Sequence, residues 1–301
     1  MNADLPTTIP AYLERLRRAL DGCDPALAQD ALYDAEDYLR SELAAHPHKS
    51  EAEVIAAVAG SYGAPNEVAD IYRDTELKVQ TALTPPKPTP RASLAGRFFG
   101  VIADPRTYGA LFYMLLAMAT GTFYFTWVVT GASLSAGLAI LVIGIPFVIL
   151  FVGSTRVLSL VEGRIVETML GERMPRRPLY SDRSLPTLQR IGAMFTDPRT
   201  WATMLYFLAM MPLGVAYFTI AFTGIAVSLA LIATPLLHQF GANVNLYMGG
   251  SDLFDPASPW LWPLATLAGV LLLFATLHLA RFIGAMHGKL AKTMLVSSRA
   301  Y

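Results

Sequence analysis

The residues most able to do chemistry in this 301-residue chain are scattered rather than clustered. Cys23 is the single cysteine, so it can form neither an internal disulfide nor a thiolate cage. His46 and His48 share a loop but have no third ligand nearby, and two imidazoles alone do not make a zinc site. There is no G-x-x-x-x-G-K-[ST] run to cradle a phosphate, no G-x-G-x-x-G after a strand, no H-E-x-x-H and no G-x-S-x-G. The expectation is a non-enzyme with no metal and no cofactor. What remains is polar residues in apolar company. His238 and His278 lie in long apolar runs, where an ionisable group is by default a candidate functional site. The plainer reading is a neutral ring satisfied by a backbone carbonyl.

A second set of polar residues recurs. Asp104-Pro105-Arg106-Thr107 followed by Tyr108 returns as Asp197-Pro198-Arg199-Thr200 followed by Trp201, 93 positions later. Each aspartate can cap a helix whose first position is the proline, where a missing N–H costs nothing. Each arginine can snorkel to lipid phosphates. The functional alternative is a polar hub in which Arg106 and Arg199 engage Glu162 or Glu167 and couple the two copies. Arg156, Glu162 and Arg281 are the candidate relay residues after the apolar runs.

The elements that must hold these residues are membrane helices. Residues 107–155 and 200–251 contain no Lys, Arg, Asp or Glu, and each run far exceeds the roughly 20 residues a spanning helix needs. The 93-residue offset also pairs Tyr113 with Tyr206, Gly121 with Gly214, and Tyr124-Phe125-Thr126 with Tyr217-Phe218-Thr219. An offset of 125 then pairs Arg156 with Arg281, Gly163 with Gly288, and Thr168-Met169-Leu170 with Thr293-Met294-Leu295. The change of offset from 93 to 125 means that the second copy carries an insertion of about 32 residues, centred on residues 241–259. All basic residues after position 82 fall in 87–106, 156–199 and 281–299, and the positive-inside rule places these stretches in the cytoplasm. That predicts spans near 108–130, 134–154, 202–223 and 260–282, with turns at Thr130-Gly131 and Thr223-Gly224 and the insertion outside. Residues 225–240, with Pro235 near the middle, then suit a re-entrant or partial segment. Both copies begin and end inside, so the halves are expected to be parallel repeats: repeat 1 at 94–173 and repeat 2 at 187–297.

The zero net charge, from 23 basic and 23 acidic side chains, hides two bodies. Residues 1–82 carry 7 basic and 15 acidic groups, and residues 83–301 carry 16 and 8. Only 15% of the chain is charged and 54% is hydrophobic, against about 25% and 45–50% in a typical soluble domain. This excludes a disordered or nucleic-acid-binding chain. MNADLPTTIP has neither a basic nor an apolar signal-peptide region, so the spans are expected to be internal. The acidic segment reads as a four-helix domain. Tyr12, Leu13, Leu16 and Leu20 share one face, Asp24-Pro25 opens a second helix, Ser50 and Glu53 form a capping box, and Pro65 opens the last helix. A Pro-rich linker, 83–93, follows. The acidic face of the second helix is either a solvated surface or a docking face for a basic partner.

On Asp34, Asp37, Tyr38, Leu39, Glu42, Ser50, Glu51, Glu53, Gly63, Pro65, Glu67, Val68, Ala69 and Tyr72, residues 1–82 resemble the HAAS signalling domain. That resemblance implies a bacterial cytoplasmic module able to dock a regulator of PadR or another type. Residues 94–297 resemble the duplicated transmembrane sensor domain found in some bacterial sensor kinases. This likeness rests on the two DPRT elements, Phe123 to Gly131, the Gly144-Ile145-Pro146 kink and Arg281 to Leu295. Together they imply an all-α fold: a small cytoplasmic helical domain on a polytopic domain in the bacterial inner membrane, both termini cytoplasmic. The expected function is non-catalytic relay of a membrane or extracytoplasmic cue to a cytoplasmic partner. Membrane lipid is a second partner, and a homo-oligomer a further option. The competing class is a small-molecule or lipid transporter or permease component regulated by its N-terminal domain.

Overall fold

A computed structural model describes residues 5–83, 93–138, 144–178, 195–241, 247–252 and 260–296, together with Gln189 and Gly192. Most of the Pro-rich linker, most of residues 179–194 and most of the 241–259 insertion lie outside the described residues.

The N-terminal body is four helices: α1 (Ile9–Ala19), α2 (Pro25–Ala45), α3 (Glu51–Ser61) and α4 (Pro65–Leu83). The Asp24 side chain accepts from the Ala26 amide, with Pro25 in the first turn. The Ser50–Glu53 capping box closes both ways, which satisfies two amides left orphaned at the start of α3. The apolar faces read from the sequence meet in one core: Tyr12 and Leu16 of α1, Ala31, Ala35 and Leu39 of α2, Ile55 of α3 and Ala69 of α4. The Tyr12 hydroxyl, buried among them, donates to the Gly63 carbonyl at 2.7 Å.

A short helix, α5 (Leu94–Phe99), and a 3₁₀ turn lead into four long apolar helices. These are α6 (Pro105–Leu138), α7 (Gly144–Leu170), α8 (Pro198–Gln239) and α9 (Leu261–Leu295), each long and apolar enough to cross a membrane. Three local expectations are corrected. Thr130-Gly131 and Thr223-Gly224 are not turns, because α6 and α8 run through them. The missing side chains make packing room instead: a Cβ on Gly131 would strike the Phe151 ring, and one on Gly224 the Thr276 side chain. Residues 225–240 are not a re-entrant segment, since α8 is one helix of 42 residues, about 63 Å at 1.5 Å per residue. Contact with α9 holds this half in place: Leu231 lies over Gly269, and His238 stacks on Trp262. Gly144-Ile145-Pro146 is not a kink but the first turn of α7, where proline is tolerated. Within the insertion, a two-residue ladder pairs Tyr247 with Asp252 around Gly249 and Gly250. Both glycines have positive φ, as a tight hairpin turn demands.

The helices form two antiparallel hairpins, α6–α7 and α8–α9, which meet along α6 and α8. Gly121 abuts the Met210 carbonyl, Gly214 abuts the Ala117 carbonyl, and Tyr124 stacks on Phe207 at 4.4 Å. As residue numbers rise in α6, those opposite in α8 fall. In agreement, α6 and α9 rise together, with Asp104 paired to Arg281, Ala110 against Gly284 and Tyr113 at His287. The hairpins therefore meet head to tail along α6 and α8. This corrects the expectation of parallel repeats. Charge placement alone set that expectation, whereas the close approach is set by Ala117, Gly121 and Gly214, whose small size lets the two backbones touch.

Candidate functional site

Both DPRT elements start helices as their residue types require. Asp104 accepts from the Arg106 amide at 3.1 Å, and Asp197 from the Arg199 amide at 3.0 Å. The second carboxylate oxygen of each reaches across to the other hairpin. Asp197 pairs with Arg156 of α7 at 3.1 Å, and Asp104 with Arg281 of α9 at 3.0 Å. Arg156 also donates to the Thr200 hydroxyl at 3.2 Å. The two ion pairs thus join matching positions of the duplication, each time across the halves. The contacts described for these arginines lie elsewhere than on Glu162 or Glu167, the alternative hub. Arg199 donates to the Leu295 carbonyl and to Gln29, Arg106 is exposed, and Glu167 is held by Arg164, Arg173 and Arg176. The aspartates do the coupling.

Glu162 lies elsewhere, sealed at the crossing of the hairpins. Its Oε1 accepts from Tyr113 of α6 at 2.8 Å and from Tyr206 of α8 at 3.0 Å. The same two hydroxyls contact His287 Nε2 of α9, at 2.5 and 2.9 Å. His287 Nδ1 meets the Tyr217 hydroxyl at 3.2 Å, and Tyr124 faces Glu162 from α6. Glu162, His287 and Tyr206 are completely buried. Sequence reasoning missed His287, though a signal was present: the 125-residue offset that pairs Arg156 with Arg281 also pairs Glu162 with His287. Tyr113 with Tyr206, and Tyr124 with Tyr217, are matched by the 93-residue offset. The offsets thus match the four tyrosines in two pairs and match the acid Glu162 to the base His287.

The two histidines singled out from sequence lie apart from this cluster. His278 Nε2 bonds the Phe98 carbonyl at 3.0 Å and stacks on that ring, and His238 stacks on Trp262. Phe123, Trp127 and Phe151 line an apolar cavity of about 480 Å³ between α6 and α7. Among the described residues no group of three or more His, Cys, Asp or Glu could hold a metal ion.

A second polar site joins the two bodies. After α7 the chain turns at Gly171, whose φ is +75°, and folds back along that helix, where Arg164 donates to the Met174 and Pro175 carbonyls. This segment inserts Arg173 between Asp30 at 2.9 Å and Glu76 at 3.0 Å. The other Asp30 oxygen accepts the amides of Arg176 and Arg177, both at 2.8 Å. Arg177 pairs with Asp34 at 2.8 Å, Lys292 at the end of α9 with Asp24 at 2.5 Å, and Ala26 is buried in the core of the long helices. Burial disfavours the Arg173 charge, but Glu76, Asp30 and Glu167 outweigh it and hold the guanidinium further into its charged range. Part of the acidic face of α2 is thus occupied by basic residues of the same chain.

Four apolar helices of spanning length, crossing around a sealed polar cluster and clamped to a charged helical body, fit a multi-pass membrane protein. The particular family is a sensor family: the chain belongs to it, with residues 113–295 matching the family model described as "Putative sensor". No curated protein and no solved structure matches the chain.

Proposed function

We propose that this membrane sensor relays its signal by releasing the N-terminal domain from the basic segment after α7. The observation that carries this reading is the Asp30 carboxylate, which grips the Arg173 side chain and the backbone amides of Arg176 and Arg177 at once. A carboxylate that accepts a guanidinium and two amides is a specific receptor for a basic turn. The chain fills that receptor with its own residues 173–177, so a cytoplasmic partner with a similar basic turn would compete for it. The HAAS-like character of residues 1–82 supports such a docking role. Lys292 near the end of α9 pairs with Asp24 before α2, and the basic residues around this contact support a cytoplasmic setting for it. The head-to-tail hairpins give the relay its lever, because Arg199 of α8, Lys292 of α9 and Arg173 after α7 all touch the domain. A shift between hairpins would pull these contacts apart.

The test compares the wild-type chain with Arg173→Ala in lipid nanodiscs. Hydrogen exchange at residues 176–177 should accelerate in the variant, and capture of cytoplasmic protein by the acidic domain should rise with it. Release without any gain in capture would sink the relay. One observation favours a transport reading instead: the hairpins are inverted relative to each other around a buried polar cluster, as in alternating-access folds. Solute flux in proteoliposomes that is lost in Tyr206→Phe would select it.

A further inference from the structure

We infer that Glu162 and His287, bridged by Tyr113 and Tyr206, form a binding site for a single proton at the crossing of the two hairpins. The hydrogen count carries the argument. Tyr113 and Tyr206 each have one hydroxyl hydrogen and each face Glu162 Oε1 and His287 Nε2. With Glu162 ionised, both hydroxyls donate to Oε1, the Nε2–H donates to their oxygens, the Tyr217 hydroxyl donates to Nδ1, and the Tyr124 hydroxyl turns its hydrogen toward the carboxylate it faces. Every contact is then made, and the cluster carries one negative charge. Among the described residues no ammonium or guanidinium contacts Glu162, whose partners are tyrosine hydroxyls. An uncompensated charge in a site closed to water is strongly disfavoured. One added proton cancels it. It can sit on Nδ1, which then donates to the Tyr217 oxygen, or on Glu162 Oε2, which is buried with no hydrogen-bond partner. No other bond forms or breaks.

The groups facing the pair set its surroundings. Tyr113 and Tyr124 approach from α6, and Tyr206 and Tyr217 from α8. Glu172, after α7, lies beside Gly288, the neighbour of His287. Arg164 and Glu167 of α7 are engaged with the 173–177 segment and with each other. Uptake of the proton changes the donor at the Tyr217 or Oε2 end of a network contributed by all four long helices, so it alters how the hairpins bind each other. The inference supplies a cue for the proposed sensor, but proton binding stands independently of domain release.

Infrared difference spectra of the full chain in nanodiscs, taken between about pH 5 and about pH 9, test it. One titrating carboxyl or imidazole band is expected in the wild type; it should vanish in Glu162→Gln and shift its midpoint or vanish in His287→Asn. Tyr206→Phe keeps the ring and removes one bridge, and should move the titration midpoint by tenfold or more in proton affinity. The proposal is overturned if both deletion variants titrate like the wild type, or if Tyr206→Phe leaves the midpoint unchanged. It is also overturned if the same band is driven by sodium concentration at fixed pH, which would make the ligand a metal cation. Because the readout is spectroscopic, its failure leaves the release of residues 173–177 to be judged on its own exchange data.

Discussion

The side chains of Asp104 and Asp197 each have two oxygens with two tasks, and only one task was legible in the sequence. Capping follows from Asp-Pro at a helix start, which is local chemistry. The pairing with Arg281 and Arg156 depends on how two hairpins meet, and no local pattern encodes that. A double-mutant cycle on Asp197→Asn and Arg156→Gln should show a coupling energy of about 0.5–3 kcal/mol in the thermal stability of the detergent-solubilised protein. The same cycle run between Asp197→Asn and Arg106→Gln should show none, because Arg106 is exposed. Equal couplings would remove the cross-hairpin pair as the cause. Glu53 makes a second residue-scale prediction. The Ser50 amide and hydroxyl hold its carboxyl below the usual range. A depressed folded value means that the stabilisation is present above the unfolded value, about 4.3, and is lost as pH falls through the folded one. Hydrogen exchange across 51–61 should therefore speed up on acidification, and Glu53→Gln should abolish that dependence.

At the scale of elements, the four N-terminal helices were readable because each carries its own start signal and one apolar face. The long helices were readable as apolar, but not in length or direction. Thr-Gly looks like a turn when the chain is scanned locally, yet Gly131 and Gly224 are the positions at which a helix admits a neighbour's side chain. The antiparallel register of α6 and α8 likewise rests on backbone contact at Gly121 and Gly214, which a hydropathy scan does not weigh. Gly214→Leu should cost about 1–3 kcal/mol, since its side chain would have to displace the Ala117 carbonyl. Gly137→Ala has open space around its Cβ and should match or slightly exceed the wild type. Thermal unfolding in one detergent orders the two variants, and a stable Gly214→Leu would mean that α6 and α8 do not cross there.

For the whole molecule, the opposed charges of the two bodies announce that they could meet, but not which groups meet or how deeply. The contact has two ends that differ in burial. Asp30 and Arg173 have side chains only 7% and 10% exposed, whereas Asp24 and Lys292 are 24% and 26% exposed. Salt screens exposed pairs strongly and buried pairs weakly, with a Debye length that falls from about 10 Å at 0.1 M to about 3 Å at 1 M. Raising the salt over that range should loosen the Lys292 end first. Hydrogen exchange would then quicken in the first turn of α2, near Asp24, while the amides of Arg176 and Arg177, bonded to Asp30, keep their protection. Arg173→Ala should produce the reverse order, exposing those two amides at low salt. The domain would thus pivot on its buried pair under screening and come away only when that pair is broken. If instead both ends lose protection together at high salt, the domain docks through its overall charge rather than through the Asp30 receptor, and a partner could displace it with any basic surface.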